Sequence, residues 1–385
     1  MSASYHSLFG RPALALGARV LDSRELQGGD QQWTFVVNVG GLEPADLDWL
    51  RSRRGACPLD SESDSLVLSL LATELDAQRT AIPLGQALAI ARDAWSAPLE
   101  TPQIMGILNA TPDSFSDGGL HQDPQKAIEA GLRFLEEGAT WLDVGGESTR
   151  PGAQPVPLQE ETDRVLPILE GLAREGVTKL SVDTRHAAVA RAALDAGATM
   201  VNDVGAGLDD DEMLSVVAKA GCDYVIMHRQ GTPTEMQKAP QYGDVLGEVA
   251  HFLRERAAAC LAAGIAGSAL WIDPGIGFGK RLEDNLALLR RLGELRSLGL
   301  PLLLGPSRKS FIGHISGNQQ EADWARLEAR DHPLGRLGGT AAAITFCVAG
   351  GVKVLRVHDV AVMSEACAVA AAIQASPAAP IPLPC

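Results

Sequence analysis

The sequence predicts an α/β fold, a (β/α)₈ TIM barrel preceded by a small N-terminal α+β module. From residue 104 onward, eight short apolar segments typical of strands are each followed by a segment with helical spacing of apolar residues, over about 270 residues. A doubly wound sheet would have fewer repeats and normally a glycine-rich first turn, which this sequence lacks. We therefore expect residues 1–100 to form the module and residues 101–380 to form the barrel.

The first hundred residues contain both strand and helix patterns. Two segments are predicted to be strands: Gln32–Val39 from its apolar content, and Ser65–Leu71 from its alternation of apolar and polar residues. Glu43–Arg53 follows a Gly-Gly turn signal and is predicted to be a helix, as is Pro83–Trp95 from its apolar spacing. The two prolines of Ser96–Pro102 predict a linker. Because no catalytic motif lies here, we interpret the module as a structural or assembly unit rather than a second active site.

The barrel prediction consists of alternating strands and helices. The expected strands are Ile104–Asn109, Trp141–Val144, Lys179–Asp183, Met200–Asn202, Tyr224–Met227, Leu270–Asp273, Pro301–Gly305 and Val352–Val357. The expected helices are Gln125–Glu137, Pro157–Arg174, His186–Ala196, Asp210–Lys219, Gly243–Ala263, Leu282–Leu298, Leu334–Ala349 and Asp359–Gln374. Each helix has an apolar stripe, which it would bury against the outside of the barrel.

The composition excludes several classes of protein. With 46% hydrophobic and 21% charged residues, the chain is too apolar to be disordered and too charged for a membrane bundle. Its net charge of −15 gives no general attraction for nucleic acid or anionic lipid, so an anionic substrate needs a local cationic pocket. We expect a protein that binds neither nucleic acid nor a membrane.

The cysteines and the apolar segments indicate the cellular compartment. The six cysteines lie far apart and include no C-x-x-C pair. The stretch Pro12–Ala18 has no convincing signal-peptide character, and Thr340–Leu355 is too short for a membrane helix and contains a lysine. We therefore expect a protein of the reducing cytoplasm.

Polar residues follow the strands at one end of the predicted barrel. The carboxyl ends of barrel strands meet at a single mouth, where active sites are built. Asp183, Asn202 and Asp273 end three strands there and offer oxygen acceptors for a heterocycle rich in N–H groups, such as an aminopyrimidine ring. The side chains that could bind phosphate or carboxylate are Arg150, Lys309, Arg356 and His358. Together they predict a site for a polar ligand with an anionic group.

Some of the polar residues also have a purely structural interpretation. A single Asp at a strand end is more often the N-cap of the next helix than a ligand group, although six or more polar residues in one ring reverse that preference. His228 is equally compatible with a site residue and with a packed, hydrogen-bonded histidine. Arg185 and Arg308 flank the motifs and could equally be salt-bridged supports of the barrel, so neither is counted as a site residue.

Several long motifs resemble those of a known family. Residues 104–375 resemble the dihydropteroate synthase family of folate biosynthesis through Met105–Gly119 (MGILNATPDSFSDGG), Asp143–Gly152 (DVGGESTRPG), Asp273–Lys280 (DPGIGFGK), Ser307–Ser310 (SRKS) and Leu355–Asp359 (LRVHD). The resemblance implies a transferase that joins 6-hydroxymethyl-7,8-dihydropterin diphosphate to 4-aminobenzoate, giving 7,8-dihydropteroate and diphosphate. It also implies Mg²⁺ as cofactor, a homodimer and inhibition by sulfonamides.

The resemblance assigns roles to the residues at matching motif positions. The pterin ligands of the family correspond to Asp183, Asn202, Asp273 and Lys309. The groups around the diphosphate correspond to Arg356, His358 and Asn109, with Asn109 at the position associated with magnesium. The aminobenzoate pocket corresponds to Thr149, Arg150, Pro151, Phe115, Phe278 and Ser310. We also expect Met227 to bind substrate and Asp117 to support closure of the first loop. The expected catalytic residues are Lys309, Asp183, Asp273, Arg356 and His358.

Two alternatives to this enzyme are compatible with a pterin-binding barrel. The first is a corrinoid-type methyltransferase, whose substrate has no diphosphate and would leave Arg150, Arg356 and His358 without a role. The second is a non-enzymatic paralogue that binds a pterin or a partner protein without turnover. A coupled diphosphate-release assay with both substrates discriminates the second alternative from an active synthase.

Overall fold

The part of the chain that the computed structural model describes contains two β-sheets. The described residues are Asp93 and residues 97–110, 124–148, 156–231, 235–236, 240–315 and 336–376, together with the backbone of four N-terminal strands. These four strands are β1 (Arg19–Glu25), β2 (Gln31–Asn38), β3 (Cys57–Pro58) and β4 (Ser65–Leu71), paired antiparallel in the order β1-β2-β4-β3. The two strands predicted in this region are therefore confirmed.

The sequence prediction missed β1 and β3. Strand β1 (RVLDSRE) is at the edge of its sheet, where charged residues are favoured because they discourage pairing with other chains. It consequently lacks the apolar alternation of a half-buried strand. Strand β3 has 2 residues, too few to leave a pattern. The predicted helices Glu43–Arg53 and Pro83–Trp95, except for Asp93, lie outside the described residues, and so does the beginning of the predicted linker.

The second sheet is an eight-stranded parallel barrel. Its strands are β5 (Gln103–Asn109), β6 (Trp141–Gly145), β7 (Leu180–Asp183), β8 (Met200–Asp203), β9 (Asp223–Met227), β10 (Leu270–Asp273), β11 (Leu303–Leu304) and β12 (Val354–Val357). Neighbours pair in the order β10-β9-β8-β7-β6-β5-β12-β11. A parallel bridge between Ile272 and Leu302 joins β10 to the segment of β11 and completes the ring. The predicted barrel is confirmed, with each strand close to its predicted position.

Helices follow the strands on the outside of the barrel. They are α1 (Pro124–Glu136), α2 (Leu158–Arg174), α3 (Ala187–Asp195), α4 (Met213–Ala220), α5 (Val245–Ala262), α6 (Leu282–Arg290), α7 (Leu292–Leu295), α8 (Ser310–Ile315), α9 (Leu337–Ala349) and α10 (Val360–Ala375). The predicted helix Leu282–Leu298 is interrupted, because Arg291 leaves the helical region with φ −113° and ψ 18°. Its end, Arg296–Leu298, is a 3₁₀ turn that stops at the left-handed Gly299.

The main core lies between the barrel and its helices. Strands β6, β7 and β8 are buried along their whole length, as expected for parallel strands with both faces covered.

Within the part of the chain that the structure describes, every helix is too short or too polar to span a lipid bilayer.

Candidate active site

The residues that face into the barrel form an apolar layer below a polar layer. The apolar layer is one buried cluster of Met105, Trp141, Met200, Val225, Leu303 and Val354. Because side chains alternate between the faces of a strand, residues two positions later share the inward face. These include Asp143, Asn202, Met227 and Arg356. Asp183 pairs in register with Asn202, and Asp273 pairs with Met227, so both aspartates lie at the same level.

Arg356 joins two buried carboxylates at the centre of the polar layer. Its Nε donates to Asp143 Oδ2 at 2.5 Å, and a terminal guanidinium nitrogen donates to Asp183 Oδ2 at 2.8 Å. Asn202 Nδ2 also donates to Asp143 Oδ2, at 3.1 Å. Burial alone would lower the pKa of Arg356, but the two carboxylates raise it above its ordinary value, so the guanidinium stays charged.

Two features of this arrangement were not predicted from the sequence. Arg356 was expected beside a diphosphate, and its guanidinium contacts Asp143 and also Asp183, a residue expected to bind the pterin ring. Asp143 was absent from the predicted site residues, although it is fully buried and orients both Arg356 and Asn202. The available signal was its position two residues after Trp141, which gives it the same inward direction on β6.

The aspartates at the mouth have altered acidity. Burial raises the pKa of Asp183 to about 7; the Arg356 charge opposes this, and the Asp143 carboxylate adds to it. Burial raises the pKa of Asp273 to about 6, against a hydrogen bond from the Gly275 N–H and the charge of Lys309. Near neutral pH each carboxyl can therefore be found with or without a proton. The expectation that both are purely acceptors applies only to the ionised form.

Lys309 approaches the same pair of aspartates from the segment after β11. Its Nζ lies 4.0 Å from the centroid of the Phe278 ring, which is a cation–π contact. Its aliphatic chain runs close to Gly277, where an added Cβ would be 3.0 Å from Lys309 Cδ. The charge of Lys309 opposes the raised pKa values of Asp183 and Asp273, so its ammonium group acts on both carboxyls.

Four further predicted residues surround the mouth. His358 follows β12, and its backbone N–H and ring Nδ1 contact Ser307 Oγ at 3.3 Å and 3.1 Å. Asn109 ends β5 and is partly exposed, whereas Met227 ends β9 and is buried. Ser310 begins α8 immediately after Lys309. The predicted residues outside the described ranges are Phe115, Asp117, Thr149, Arg150 and Pro151.

The residues whose role the sequence left open are held by structural contacts. His228 packs edge-on against Phe252, and burial lowers its pKa to about 2. Its Nδ1 lies 2.9 Å from Nζ of Lys280, a buried lysine whose pKa burial lowers to about 7. Arg185 pairs with Glu147 at 3.0 Å. These contacts favour the packed interpretation of His228 and the supporting interpretation of Arg185.

Comparison with known proteins identifies the family. The family model described as pterin binding enzyme matches residues 105–358, from β5 to the residue after β12. The dihydropteroate synthase of Neisseria meningitidis serogroup C is 45% identical over 285 residues, which cover 72% of this chain and 96% of that protein. The chain belongs to the dihydropteroate synthase family. The family member from Synechocystis is 44% identical over 270 residues, covering 70% of this chain and 89% of its own length.

Solved structures of dihydropteroate synthases share the barrel. The enzyme of Xanthomonas albilineans in complex with 7,8-dihydropteroate is 43% identical, with a TM-score of 0.63 over 74% of this chain and 99% of that one. The same enzyme with 4-aminobenzoic acid is 46% identical, with a TM-score of 0.65 over 72% and 95% of the two chains. The Yersinia pestis dihydropteroate synthase, solved as a sulfonamide drug complex, is 42% identical, with a TM-score of 0.65 over 73% and 97%.

Proposed function

We propose that this chain is an active dihydropteroate synthase. It condenses 6-hydroxymethyl-7,8-dihydropterin diphosphate with 4-aminobenzoate to give 7,8-dihydropteroate and diphosphate. The observation that carries the proposal is the convergence of buried Asp183, Asn202 and Asp273 with the charged groups of Arg356 and Lys309 in one barrel mouth. Acceptors for a heterocycle and cations for an anionic leaving group are thereby combined in a single site.

The pterin half of the proposed site is the buried polar layer. Asp183 and Asp273 provide carboxyl groups for the N–H-rich edge of the ring, and Asn202 can both donate and accept beside them. The Oδ1 atoms of Asp143 and Asp183 are buried and accept no hydrogen bond from the described residues. Since an unpaired buried acceptor is costly, the Asp183 oxygen is suited to accept from a bound ligand.

We assign the diphosphate to the outer part of the mouth, at Arg356, His358 and Asn109. Arg356 lies on the border between the two halves, because its guanidinium also contacts Asp143 and Asp183. Dihydropteroate synthases in general use a divalent metal, and we propose Mg²⁺. The partly exposed Asn109 fits this cation, because Mg²⁺ prefers oxygen ligands and needs few from the protein when it binds substrate phosphates. When bound, the cation would supply charge stabilisation for the leaving diphosphate.

The chemical step breaks the bond between the pterin methylene carbon and a diphosphate oxygen. The dihydropterin ring can delocalise the positive charge that develops, so we propose an SN1-like ionisation followed by attack of the aromatic amine. Asp183 and Asp273 favour the electron-poor ring, while Arg356 and His358 favour the departing anion. Each well-placed group of this kind is typically worth about 3 kcal/mol in the transition state.

The aminobenzoate pocket is proposed around Lys309 and Phe278. The Phe278 ring beneath the Lys309 ammonium offers an apolar surface for the aromatic amine, and Ser310 offers a hydroxyl group. Thr149, Arg150, Pro151 and Phe115 complete the pocket in this proposal, and Asp117 supports loop closure. Met227 binds substrate from the polar layer, where it pairs with Asp273. Closed loops would exclude water, which would otherwise capture the pterin cation.

Three further proposals concern the setting of the enzyme. We propose a homodimer, supported by the exposed apolar side chains of Phe346 on α9 and Val369 and Ile373 on α10. We assign catalysis to residues 101–380 and keep residues 1–100 as a separate module. We place the enzyme in the cytoplasm, which agrees with the four free cysteines among the described residues.

A coupled diphosphate-release assay tests the proposed function. Purified protein is supplied with Mg²⁺, the pterin diphosphate and 4-aminobenzoate, and the formation of 7,8-dihydropteroate is followed in parallel. We expect diphosphate release that requires both substrates and matches product formation one to one. Tight binding of the pterin diphosphate without turnover would contradict the proposal and favour a non-enzymatic pterin-binding protein.

A further inference from the structure

Arg308 combines an unusual backbone conformation with a position between Ser307, which contacts His358, and Lys309 of the proposed site. Its φ is +58°, in the left-handed region that side chains other than glycine rarely adopt. Among the described non-glycine residues, this property is shared only by Ala206. Backbone strain of this kind persists where surrounding contacts fix it, and it is concentrated at functional sites.

Contacts on both the side chain and the backbone hold Arg308 in place. Its guanidinium forms a fork with Asp359, with Nε at 3.1 Å from Oδ2 and a terminal nitrogen at 2.7 Å from Oδ1. Its backbone N–H donates to Thr340 Oγ1 at 3.3 Å, and its backbone carbonyl accepts from Arg336 Nη1 at 2.7 Å. The left-handed turn is therefore fixed against the beginnings of α9 and α10.

Because of this turn, the neighbouring residues Ser307 and Lys309 point to different parts of the mouth. On one side, Ser307 Oγ lies 3.1 Å from His358 Nδ1. On the other side, Lys309 extends past Gly277 to place its Nζ over the Phe278 ring. The Arg308–Asp359 fork and the Ser307–His358 contact together join the segment after β11 to the segment after β12.

We propose that Arg308 is a positioning residue that holds Lys309 at the reacting groups through its left-handed turn and its fork with Asp359. The inference rests on the proposed function, because the role of Lys309 belongs to that reaction. Arg308 itself points to Asp359 and acts only through its neighbours. A lysine cannot replace it, because an ammonium group lacks the planar pair of donors that matches a carboxylate.

The test measures kcat and KM for both substrates in Arg308→Ala, Arg308→Lys and Asp359→Asn. We expect each variant to lose about 10- to 100-fold in kcat with KM values changed less than about 3-fold, because a small displacement of a reacting group has an effect of this size. The double variant Arg308→Ala/Asp359→Asn should be no slower than Arg308→Ala, because the two residues act as one unit. Arg308→Gly, which accepts the turn without strain, should retain more kcat than Arg308→Ala.

The matched control is Arg291→Lys. Arg291 forms a similar fork with Glu294, at 2.6 Å and 3.0 Å, on the outside of the barrel, so this variant should keep wild-type kinetics. Thermal unfolding of every variant is recorded. If Arg308→Ala does not fold, the kinetics of Arg308→Lys and Asp359→Asn test the proposal in its place. If the wild-type protein turns over and the folded Arg308 and Asp359 variants have unchanged kcat, this inference is wrong and the proposed function stands. Absence of turnover in the wild-type protein overturns the proposed function and this inference with it.

Discussion

Replacement of Asp143 by asparagine should change the pH dependence of the enzyme. Asp143 and Asp183 bind neighbouring nitrogens of one guanidinium, and the Asp143 charge contributes to the raised pKa of Asp183. Carboxylates in this arrangement are roughly 5 Å apart, and at an effective dielectric constant of about 20 their repulsion is about 3 kcal/mol. Removing the Asp143 charge should therefore lower the pKa of Asp183, by about 1 to 2 pH units after allowance for the shared arginine.

The sign of the change follows from the proposed role of Asp183. Its ionised form accepts hydrogen bonds from the pterin ring, so kcat/KM for the pterin diphosphate should fall as pH decreases through its pKa, which is about 7 in the wild-type protein. In Asp143→Asn the same decline should occur at lower pH. The maximum rate should also be lower, because Arg356 and Asn202 lose the charge of the carboxylate that orients them.

The assay is diphosphate release between pH 5 and pH 9, with each profile normalised to its own maximum. The control is Asp223→Asn, because Asp223 is a partly buried aspartate at the opposite, amino-terminal end of its strand. This control should leave the acid limb of the profile in place. An acid limb in Asp143→Asn that stays at the wild-type pH, or moves to higher pH, would refute the electrostatic coupling of the two aspartates.

Two further variants and an inhibitor test neighbouring parts of the site. Lys309→Ala should cost about 2 to 4 kcal/mol of transition-state stabilisation in kcat/KM; a near wild-type rate would contradict its assignment. Gly277→Ala should reduce kcat, because a residue with φ +83° is strained by a side chain and the new Cβ would be 3.0 Å from Lys309 Cδ; unchanged kcat in the folded variant would exclude this close approach. Sulfonamides should inhibit competitively with 4-aminobenzoate in steady-state kinetics, and inhibition that excess 4-aminobenzoate does not relieve would count against the proposed pocket.

The sequence predicts the barrel and much of the polar layer because both depend on chain order. Strands that end in Asp183, Asn202 and Asp273 bring these residues to one mouth in any parallel barrel, whatever the details of packing. Strand β1 was missed because its charged residues suit a sheet edge and do not alternate with apolar ones. Local pattern is thus sufficient for buried parallel strands and insufficient for a strand at the edge of its sheet.

The contacts within the polar layer could not be predicted in the same way. Arg356 and Asp183 are 173 positions apart, and their hydrogen bond depends on the radius of the barrel and on the side-chain rotamers. Arg308 was excluded from the predicted site as a possible salt-bridged support. It does form that ion pair, with Asp359, but its left-handed backbone next to Lys309 is visible only in three dimensions.

Ligand binding to two single variants tests the division of the mouth most directly. Isothermal titration compares 6-hydroxymethyl-7,8-dihydropterin with its diphosphate on the wild-type protein, Asp273→Ala and His358→Ala. We expect Asp273→Ala to weaken both ligands by a similar factor of about 10 or more, because both carry the ring. We expect His358→Ala to weaken only the diphosphate. If His358→Ala weakened both ligands equally, or Asp273→Ala weakened only the diphosphate, buried carboxyls for the heterocycle and outer cations for its anionic tail would be the wrong description of this site.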